Sequence, residues 1–160
     1  AIQERIQGFK QNIFMLRDDC EVKIQNGWFN RMAPAFKDSV ELASVEPHRH
    51  ANYFLSFVYY VQAKNQGNLF FLDDEAHKVG LNVPRRDPYF TKWDNTNFAK
   101  AEYPAESGNI VIFPSMIFHE TGKNPIDTPR ISISGDIMIT MKENVKSEHN
   151  IPSPSTWKKL

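Results

Sequence analysis

The chain has 160 residues and a formal net charge of zero, from 19 basic and 19 acidic side chains. This length fits a single domain over residues 1–160, and the balanced charge gives no signal for nucleic acid or an anionic membrane. Because no apolar stretch approaches the roughly 20 residues that cross a bilayer, and residues 1–19 lack the apolar centre of a signal peptide, we expect a cytoplasmic protein that acts on a small molecule or a peptide.

The N-terminal residues predict a packing helix, because apolar side chains recur at helical intervals. These side chains are Ile2, Ile6, Phe9, Ile13 and Leu16. From residue 21 onward, β-rich runs alternate with turn signals, which is typical of an antiparallel sandwich or barrel. The runs are EVKIQNGWFNRM, SVELASVEPHRH, NYFLSFVYYVQ, GNLFFLDD, GNIVIFPSMIFHE and RISISGDIMITMK, and the turn signals are QNG, NQG and ESG. The predicted fold class is mainly β with an N-terminal helix.

Residues 74–104 interrupt this pattern with a long polar and aromatic stretch that lacks clear periodicity. A loop of this length in a compact domain is usually a functional lid or a disordered segment. Its aromatic residues, among them Tyr89, Phe90 and Trp93, argue against plain disorder. We interpret the stretch as a lid over a substrate, and a packing or dimer arm is the alternative. The sequence leaves the oligomeric state open.

Histidine is the natural metal ligand of this chain, because the single cysteine, Cys20, excludes a cysteine-rich site. His48 and His50 stand at i and i+2 in a predicted strand, so their rings should point to the same side. His119 ends the strand-like run GNIVIFPSMIFHE and is the candidate third ligand, and Pro114 before it indicates a turn or bulge. Three ligands on one face of an iron ion leave other positions open for a chelating cosubstrate and O₂. The alternative is a surface pair and a hydrogen-bonded histidine.

Arg130 begins the alternating strand RISIS, ten intervening residues after His119. The face that carries Arg130, Ser132 and Ser134 is polar, whereas the other face is apolar. In a cavity, a guanidinium binds a carboxylate bidentately, and a neighbouring hydroxyl adds a further hydrogen bond. The alternative sends Arg130 to solvent. If His119 closes one strand and Arg130 begins the next, a metal and an anion clamp would face the same volume.

Five segments resemble, in order, the core of the Fe(II)/2-oxoglutarate-dependent oxygenase superfamily: HRH, LSFVYYV, GNLFFLDD, YPAESGNIVIFPSMIFHET and PRISISGDI. The resemblance covers roughly residues 40–140 and is strongest to small bacterial and phage members. It implies a double-stranded β-helix, or jelly-roll, and a non-haem Fe(II) dioxygenase that uses 2-oxoglutarate and O₂ to hydroxylate a small molecule or a peptide side chain. By the same resemblance, His119 is the distal iron ligand. Arg130 and Ser132 would bind the remote carboxylate of 2-oxoglutarate, with Tyr60 beside them.

The first ligand motif departs from the family pattern, which usually reads His-x-Asp or His-x-Glu. This chain has HRH, with no carboxylate at the third position. Three ligand sets stay open: the triad His48, His50 and His119; a His50-x-Asn52 register with two protein ligands and water; or a carboxylate from Asp73 or Asp74. We favour the all-histidine triad, whose neutral imidazoles would leave the iron centre more positive than a carboxylate does.

Two other functions are compatible with parts of the sequence. A cupin-type dioxygenase or isomerase that does not use 2-oxoglutarate shares the jelly-roll and the paired histidine motifs. Arg130 and Ser132 count against it, because a cupin has no need to place them there, as does the lack of a glutamate shortly after HRH. The third hypothesis is a metal-free jelly-roll binding module. Metal analysis of protein purified without a chelator separates this module from the two metalloproteins.

Overall fold

The structure, a computed structural model, describes residues 2–34, 44–72 and 100–142. Within these ranges the chain forms the helix α1 (Ile2–Asn12) and eight strands, which are β1 (Cys20–Met32), β2 (Val45–His48), β3 (Leu55–Gln62), β4 (Leu69–Leu72), β5 (Lys100–Tyr103), β6 (Ile110–Pro114), β7 (His119–Thr121) and β8 (Arg130–Met141). The first sheet has the order β1-β8-β3-β6, and the second sheet has the order β2-β7-β4-β5. All pairs of neighbouring strands are antiparallel. Two packed four-stranded sheets make a jelly-roll, so the predicted fold class is confirmed.

The main apolar core lies between α1 and one face of the first sheet. Ile6 of the helix packs against Leu55 and Phe57 of β3 and against Ile137 of β8, and all four side chains are buried. Burial of each such side chain contributes about 1.5–3 kcal/mol. Because side chains alternate along a strand, the residues between these positions point to the opposite face of the sheet. That opposite face carries the polar residues of the site.

The helix α1 is shorter than its apolar periodicity predicted. It ends at Asn12, Ile13 is 64% exposed, and Met15 has a left-handed backbone with φ of 47°. A residue in the left-handed conformation reverses the chain at a helix C-terminus, so the later apolar residues leave the packing face. Among the described residues, no helix has the length and apolar character of a membrane span.

One of the three predicted turns is wrong. The segment QNG, residues 25–27, lies inside β1, where the pairing with β8 shifts register between Ile24 and Asn26. A β-bulge accommodates the extra residue there, and the long ladder with β8 overrides the local turn signal. The other two turns are confirmed by left-handed backbones, at Asn65 and Gly67 between β3 and β4 and at Gly108 between β5 and β6.

The run GNIVIFPSMIFHE forms two strands in two different sheets, rather than one strand that ends at His119. Strand β6 ends at Pro114 in the first sheet, and His119 begins β7 in the second sheet. Between them the backbone N–H of Ile117 donates to the carbonyl of Pro114 over 3.1 Å and closes a turn. The redirection of the chain predicted at Pro114 is therefore confirmed, because the turn carries His119 from one sheet to the other.

The predicted loop over residues 74–104 is shorter at its end than expected. Residues 100–103 form β5, which pairs with β4 along the edge of the second sheet. Alternation of apolar and polar residues is weak in this four-residue strand, so periodicity gave no signal. The remainder of the loop, with Asp73, Asp74 and the aromatic residues of the predicted lid, lies outside the described residues.

Gly135 tests the close packing of the first sheet. A Cβ atom at Gly135 would lie 2.6 Å from the Asn26 carbonyl oxygen and 2.6 Å from the ring of Phe57. We expect Gly135→Ala to lower the free energy of unfolding by about 1–3 kcal/mol, the usual cost of overpacking. Urea-induced unfolding measures this change.

The matched control is Gly8→Ala in α1, where an added Cβ would meet no atom closer than 4.0 Å. Alanine is the better helix former, so this variant should raise the free energy of unfolding by about 0.5–1 kcal/mol. Equal effects of the two substitutions would contradict the packing described for Gly135.

Candidate metal centre

The face of the first sheet that looks toward the second sheet is lined with buried polar side chains. Alternate residues of β8 supply most of them, and Ser56 and Tyr60 of β3 lie opposite. The buried polar residues of β8 on this face are Arg130, Ser132, Ser134, Asp136 and Thr140. Phe113 of β6 shares the face and packs against Phe71 of β4, with ring centroids 4.9 Å apart, which joins the two sheets. The face is thus the interior of the jelly-roll, and its polarity favours a site over a core.

His48 and His119 are direct cross-strand partners in the second sheet. Residues opposite each other in an antiparallel pair point to the same side, and the two ring centroids lie 4.3 Å apart. Phe71 is the partner of His119 on the other side, and Phe113 lies 4.8 Å from the His119 ring. Strand pairing and two aromatic rings therefore fix the position of His119.

His50 joins the pair from just beyond the end of β2. The strand ends at His48, so the prediction of two histidines within one strand is wrong in its detail. The backbone N–H of His50 donates to the Ser115 carbonyl over 2.9 Å and holds the segment against the turn that follows β6. The ring of His50 lies 5.1 Å from that of His48 and 5.2 Å from that of His119. The three predicted histidines therefore converge.

The three imidazoles present a set of nitrogen atoms that suits a divalent cation. One ring nitrogen from each histidine lies within 4.8 Å of the others. The Nδ1 atoms of His48 and His119 lie 2.8 Å and 2.9 Å from the carbonyl oxygens of Glu46 and Ile117. Since a carbonyl oxygen only accepts, Nδ1 carries the proton in both rings, which leaves the Nε2 lone pair for a metal.

Burial keeps His119 in the neutral form that metal binding requires. The pKa of His119 is lowered to about 4, chiefly by desolvation and further by the neighbouring His48 and His50. The hydrogen bond to Ile117 and the charge of Asp136 act in the opposite direction but do not outweigh burial. At neutral pH the ring is uncharged, and neutral imidazole is the metal-ligating form.

Arg130 begins β8, as predicted, and its guanidinium is buried in the interior. The residue is 3% exposed, and among the described residues it forms no ion pair. Its Nη1 donates to the carbonyl of Gly67, and its guanidinium carbon lies 5.6 Å from the ring centroid of Tyr60. Desolvation lowers the pKa of Arg130, whereas Tyr60 raises it. An arginine side chain stays charged in a protein, so a cation is buried here.

Three polar atoms beside this cation lack hydrogen-bond partners within the part of the chain that the structure describes. They are Nε of Arg130, the hydroxyl of Tyr60 and the hydroxyl of Ser132, and all three are buried. Burial raises the pKa of Tyr60, so its hydroxyl is a neutral donor, although Arg130 opposes the shift. A buried donor without a partner costs about 1–3 kcal/mol. Three donors around one guanidinium fit the remote carboxylate of 2-oxoglutarate, as the three imidazoles fit iron.

The structure brings His48, His50 and His119 together. It also places Tyr60 opposite Ser132 in the sheet, with its ring beside the guanidinium of Arg130.

Asp136 and Trp28 also contact the triad, and neither was predicted. Asp136 lies 2.6 Å from Nδ1 of His50, and the ring centroid of Trp28 lies 5.4 Å from the His50 ring. The alternation that puts Arg130 and Ser132 on one face also puts Asp136 there, so the sequence could have predicted that Asp136 faces the site. Trp28 could not be found without the pairing of β1 with β8.

Comparisons with known proteins agree with this arrangement. A profile of the 2OG-Fe(II) oxygenase family matches residues 28–136, which is more than half of the chain. A search of curated protein sequences gave no match.

Two solved structures share the fold. One is an oxidoreductase of the 2OG-Fe(II) oxygenase family from Burkholderia pseudomallei, with a TM-score of 0.51, 15% identity, and coverage of 86% of this chain and 58% of that chain. The other is the epimerase SnoN in complex with Fe³⁺, alpha ketoglutarate and nogalamycin RO, with a TM-score of 0.52, 15% identity, and coverage of 83% and 61%. This chain spans about three fifths of the length of both proteins.

His119→Ala tests whether the three imidazoles bind one ion. We expect the affinity for Fe(II), measured anaerobically with the iron retained after gel filtration, to fall by more than about 100-fold, because a ligand is lost rather than an outer-shell contact. His149→Ala is the control, since its polar, loop-like surroundings in the sequence predict a solvated side chain. Full iron content in the His119 variant would refute the ligand set.

Proposed function

The chain belongs to the 2OG-Fe(II) oxygenase family, and from this premise we propose that it is an Fe(II)- and 2-oxoglutarate-dependent oxygenase that hydroxylates a small molecule or a peptide side chain. The observation that carries the proposal is the buried guanidinium of Arg130, which has no ion-pair partner among residues 2–34, 44–72 and 100–142, with two hydroxyls beside it that have no partner in these ranges. A buried charge needs an anionic partner or a large compensating gain elsewhere. A dicarboxylate that also chelates a metal supplies that partner.

The residues that would hold Fe(II) are His48, His50 and His119. Each would offer Nε2, because Nδ1 of each ring is engaged by an acceptor behind it. The side chains of this site carry no redox-active group; when bound, Fe(II) would activate O₂, which is the oxidant, and 2-oxoglutarate would supply two electrons by oxidative decarboxylation to succinate and CO₂. Strand pairing and the contacts of His50 hold the three rings in place, and burial keeps His119 neutral.

The residues that would bind the remote carboxylate of 2-oxoglutarate are Arg130, Ser132 and Tyr60. Nε of Arg130 and the two hydroxyls are donors with no other partner, so they would make hydrogen bonds to the carboxylate without losing existing ones. Hydrogen bonds between a buried guanidinium and a carboxylate are charge-assisted and are roughly twice as strong as neutral ones. The bond from Arg130 to Gly67 fixes the guanidinium before the acid binds, which lowers the entropic cost of binding.

The surroundings of His119 also exclude water. Phe71 and Phe113 flank its ring, and His119 is 5% exposed. A dry site strengthens each electrostatic interaction and protects reactive species from side reactions. The side chains of the protein would thus orient the metal and 2-oxoglutarate, balance the charge of the remote carboxylate and keep water away from the site.

The burial of Arg130 favours this function over a cupin that does not use 2-oxoglutarate. A cupin of that kind has no need of a guanidinium in the interior to hold a cosubstrate. The metal-free binding module accounts for neither the convergence of three imidazoles nor their common orientation. Both alternatives leave Tyr60 and Ser132 with unpartnered buried hydroxyls.

The sequence, rather than the described part of the structure, indicates the class of substrate. The predicted lid over residues 74–104 would add cationic and aromatic contacts from residues such as Arg85, Tyr89 and Trp93. A cytoplasmic location, the absence of nucleic-acid binding and a single domain over residues 1–160 likewise stay predictions. SnoN, which shares the fold, was crystallised with a small molecule, and this supports a small-molecule substrate.

Arg130→Ala tests whether Arg130, with Ser132 and Tyr60, binds the remote carboxylate of 2-oxoglutarate. Under anaerobic conditions, Fe(II)-loaded protein should develop the weak visible charge-transfer band of an iron complex with 2-oxoglutarate. Loss of the charge-assisted hydrogen bonds, worth about 1.5–3 kcal/mol, should raise the 2-oxoglutarate concentration for half-saturation by about 10- to 100-fold. Iron content should be unchanged.

Two further variants sharpen this test. Arg31→Ala removes an exposed arginine of β1. Arg31 pairs with Ile131 and so lies on the face of the sheet away from Arg130, and the variant should leave the charge-transfer band unaffected. Tyr60→Phe removes only a hydroxyl that has no partner, so it should weaken 2-oxoglutarate binding without loss of stability. An unchanged 2-oxoglutarate requirement in both Arg130→Ala and Tyr60→Phe would show that these residues do not bind the carboxylate.

A further inference from the structure

A buried carboxylate lies directly behind one of the three histidines. Asp136 is 3% exposed, and its Oδ1 atom lies 2.6 Å from Nδ1 of His50. The hydroxyl of Ser56 donates to the same oxygen over 2.8 Å, and the Ser115 hydroxyl lies 3.1 Å from that of Ser56. The carboxylate can only accept these bonds, so His50 donates through Nδ1 and presents Nε2 on its other side.

Asp136 lies on an inner strand of the first sheet, with a paired strand on each side. It lies in the middle of the first sheet, paired with Asn26 of β1 on one side and with Ser56 of β3 on the other. His50, in contrast, lies beyond the end of β2 and outside the strand ladders. His48 and His119 are fixed by pairing with each other, whereas the ring of His50 depends on its contacts. Its polar side-chain contacts are to Asp136 and to Ser56, whose hydroxyl is 3.2 Å from Nδ1.

The charge of Asp136 also bears on the metal. Non-haem Fe(II) oxygenases typically bind iron with two histidines and one carboxylate. Here the candidate ligands are three imidazoles, which bring no charge to a divalent cation. A carboxylate that accepts a hydrogen bond from a ligating histidine makes that ring more basic and transfers part of its charge to the metal.

We propose that Asp136 is a positioning residue for the metal centre. It holds His50 in the tautomer and orientation that present Nε2 to the ion, and through this hydrogen bond it supplies the negative charge that an all-histidine ligand set lacks. The inference rests on the ligand set of the proposed function, and it adds a residue that acts on the metal without touching it.

Co(II), which is stable in air and prefers similar ligands, is the probe for the first experiment. Asp136→Asn keeps an acceptor for His50 but removes the charge, and Asp136→Ala removes both. We expect both variants to bind Co(II) more weakly than the wild-type protein, by about 10- to 100-fold, with the alanine variant at the upper end. Asp18→Asn removes an exposed carboxylate near the start of β1 and is the control for charge alone.

Proton NMR of the Co(II)-loaded protein separates a positioning role from a merely structural one. Each ligating imidazole with a protonated Nδ1 gives a paramagnetically shifted signal that exchanges with water, so the wild-type protein should show three. In Asp136→Ala the signal of His50 should disappear through fast exchange, while the signals of His48 and His119 persist. Circular dichroism spectra of the variants should match that of the wild-type protein.

Two results would overturn the inference alone. Co(II) affinity equal to that of Asp18→Asn, with all signals retained, would show that Asp136 does not act on the centre. Loss of Co(II) binding as complete as that in His119→Ala would make Asp136 a ligand in its own right. Failure of the wild-type protein to bind Co(II) through these histidines would instead overturn the proposed function, and this inference with it.

Discussion

The alternation of side chains along β8 gives the two faces of one strand opposite environments, and the rest of the molecule is arranged around this difference. On one side, Ile137 packs under α1 with Leu55 and Phe57. On the other side, Arg130, Ser132 and Asp136 are buried in the space between the sheets. Polar groups are expensive to bury without partners. The apolar face supplies the stability that allows the polar face to remain partly unsatisfied.

The interior face contains two places for positive charge, and this determines what it can bind. Three imidazoles at one place suit a divalent cation, and the guanidinium of Arg130 occupies the other. Within the described residues, Asp136 is the carboxylate that contacts the triad, through His50, and none is paired with Arg130. A ligand with two carboxylates, one of them beside a chelating keto group, has a negative charge for each of these two positive places. A neutral or cationic ligand would leave the guanidinium without compensation.

Local signals in the sequence predicted the fold class, and strand alternation predicted which side chains of β8 share a face. RISIS alternates without ambiguity, so Arg130 and Ser132 were placed on one face, and that face is buried. Prediction failed where pairing overrides local signals. QNG became a bulge within β1, and the run before His119 divided between two sheets at Pro114. Asp136 was missed because its role depends on His50, which is 86 residues away in sequence.

The proposed function requires that one dicarboxylate reach from the histidine triad to Arg130. Its most direct test compares 2-oxoglutarate with 2-oxopentanoate, which keeps the chelating keto acid and the carbon chain but lacks the remote carboxylate. Both acids are titrated anaerobically into Fe(II)-loaded wild-type protein, and the charge-transfer band is recorded. We expect half-saturation to need about 10- to 100-fold more 2-oxopentanoate than 2-oxoglutarate, because 2-oxopentanoate lacks the charge-assisted hydrogen bonds to Arg130. Equal half-saturation by the two acids would contradict it.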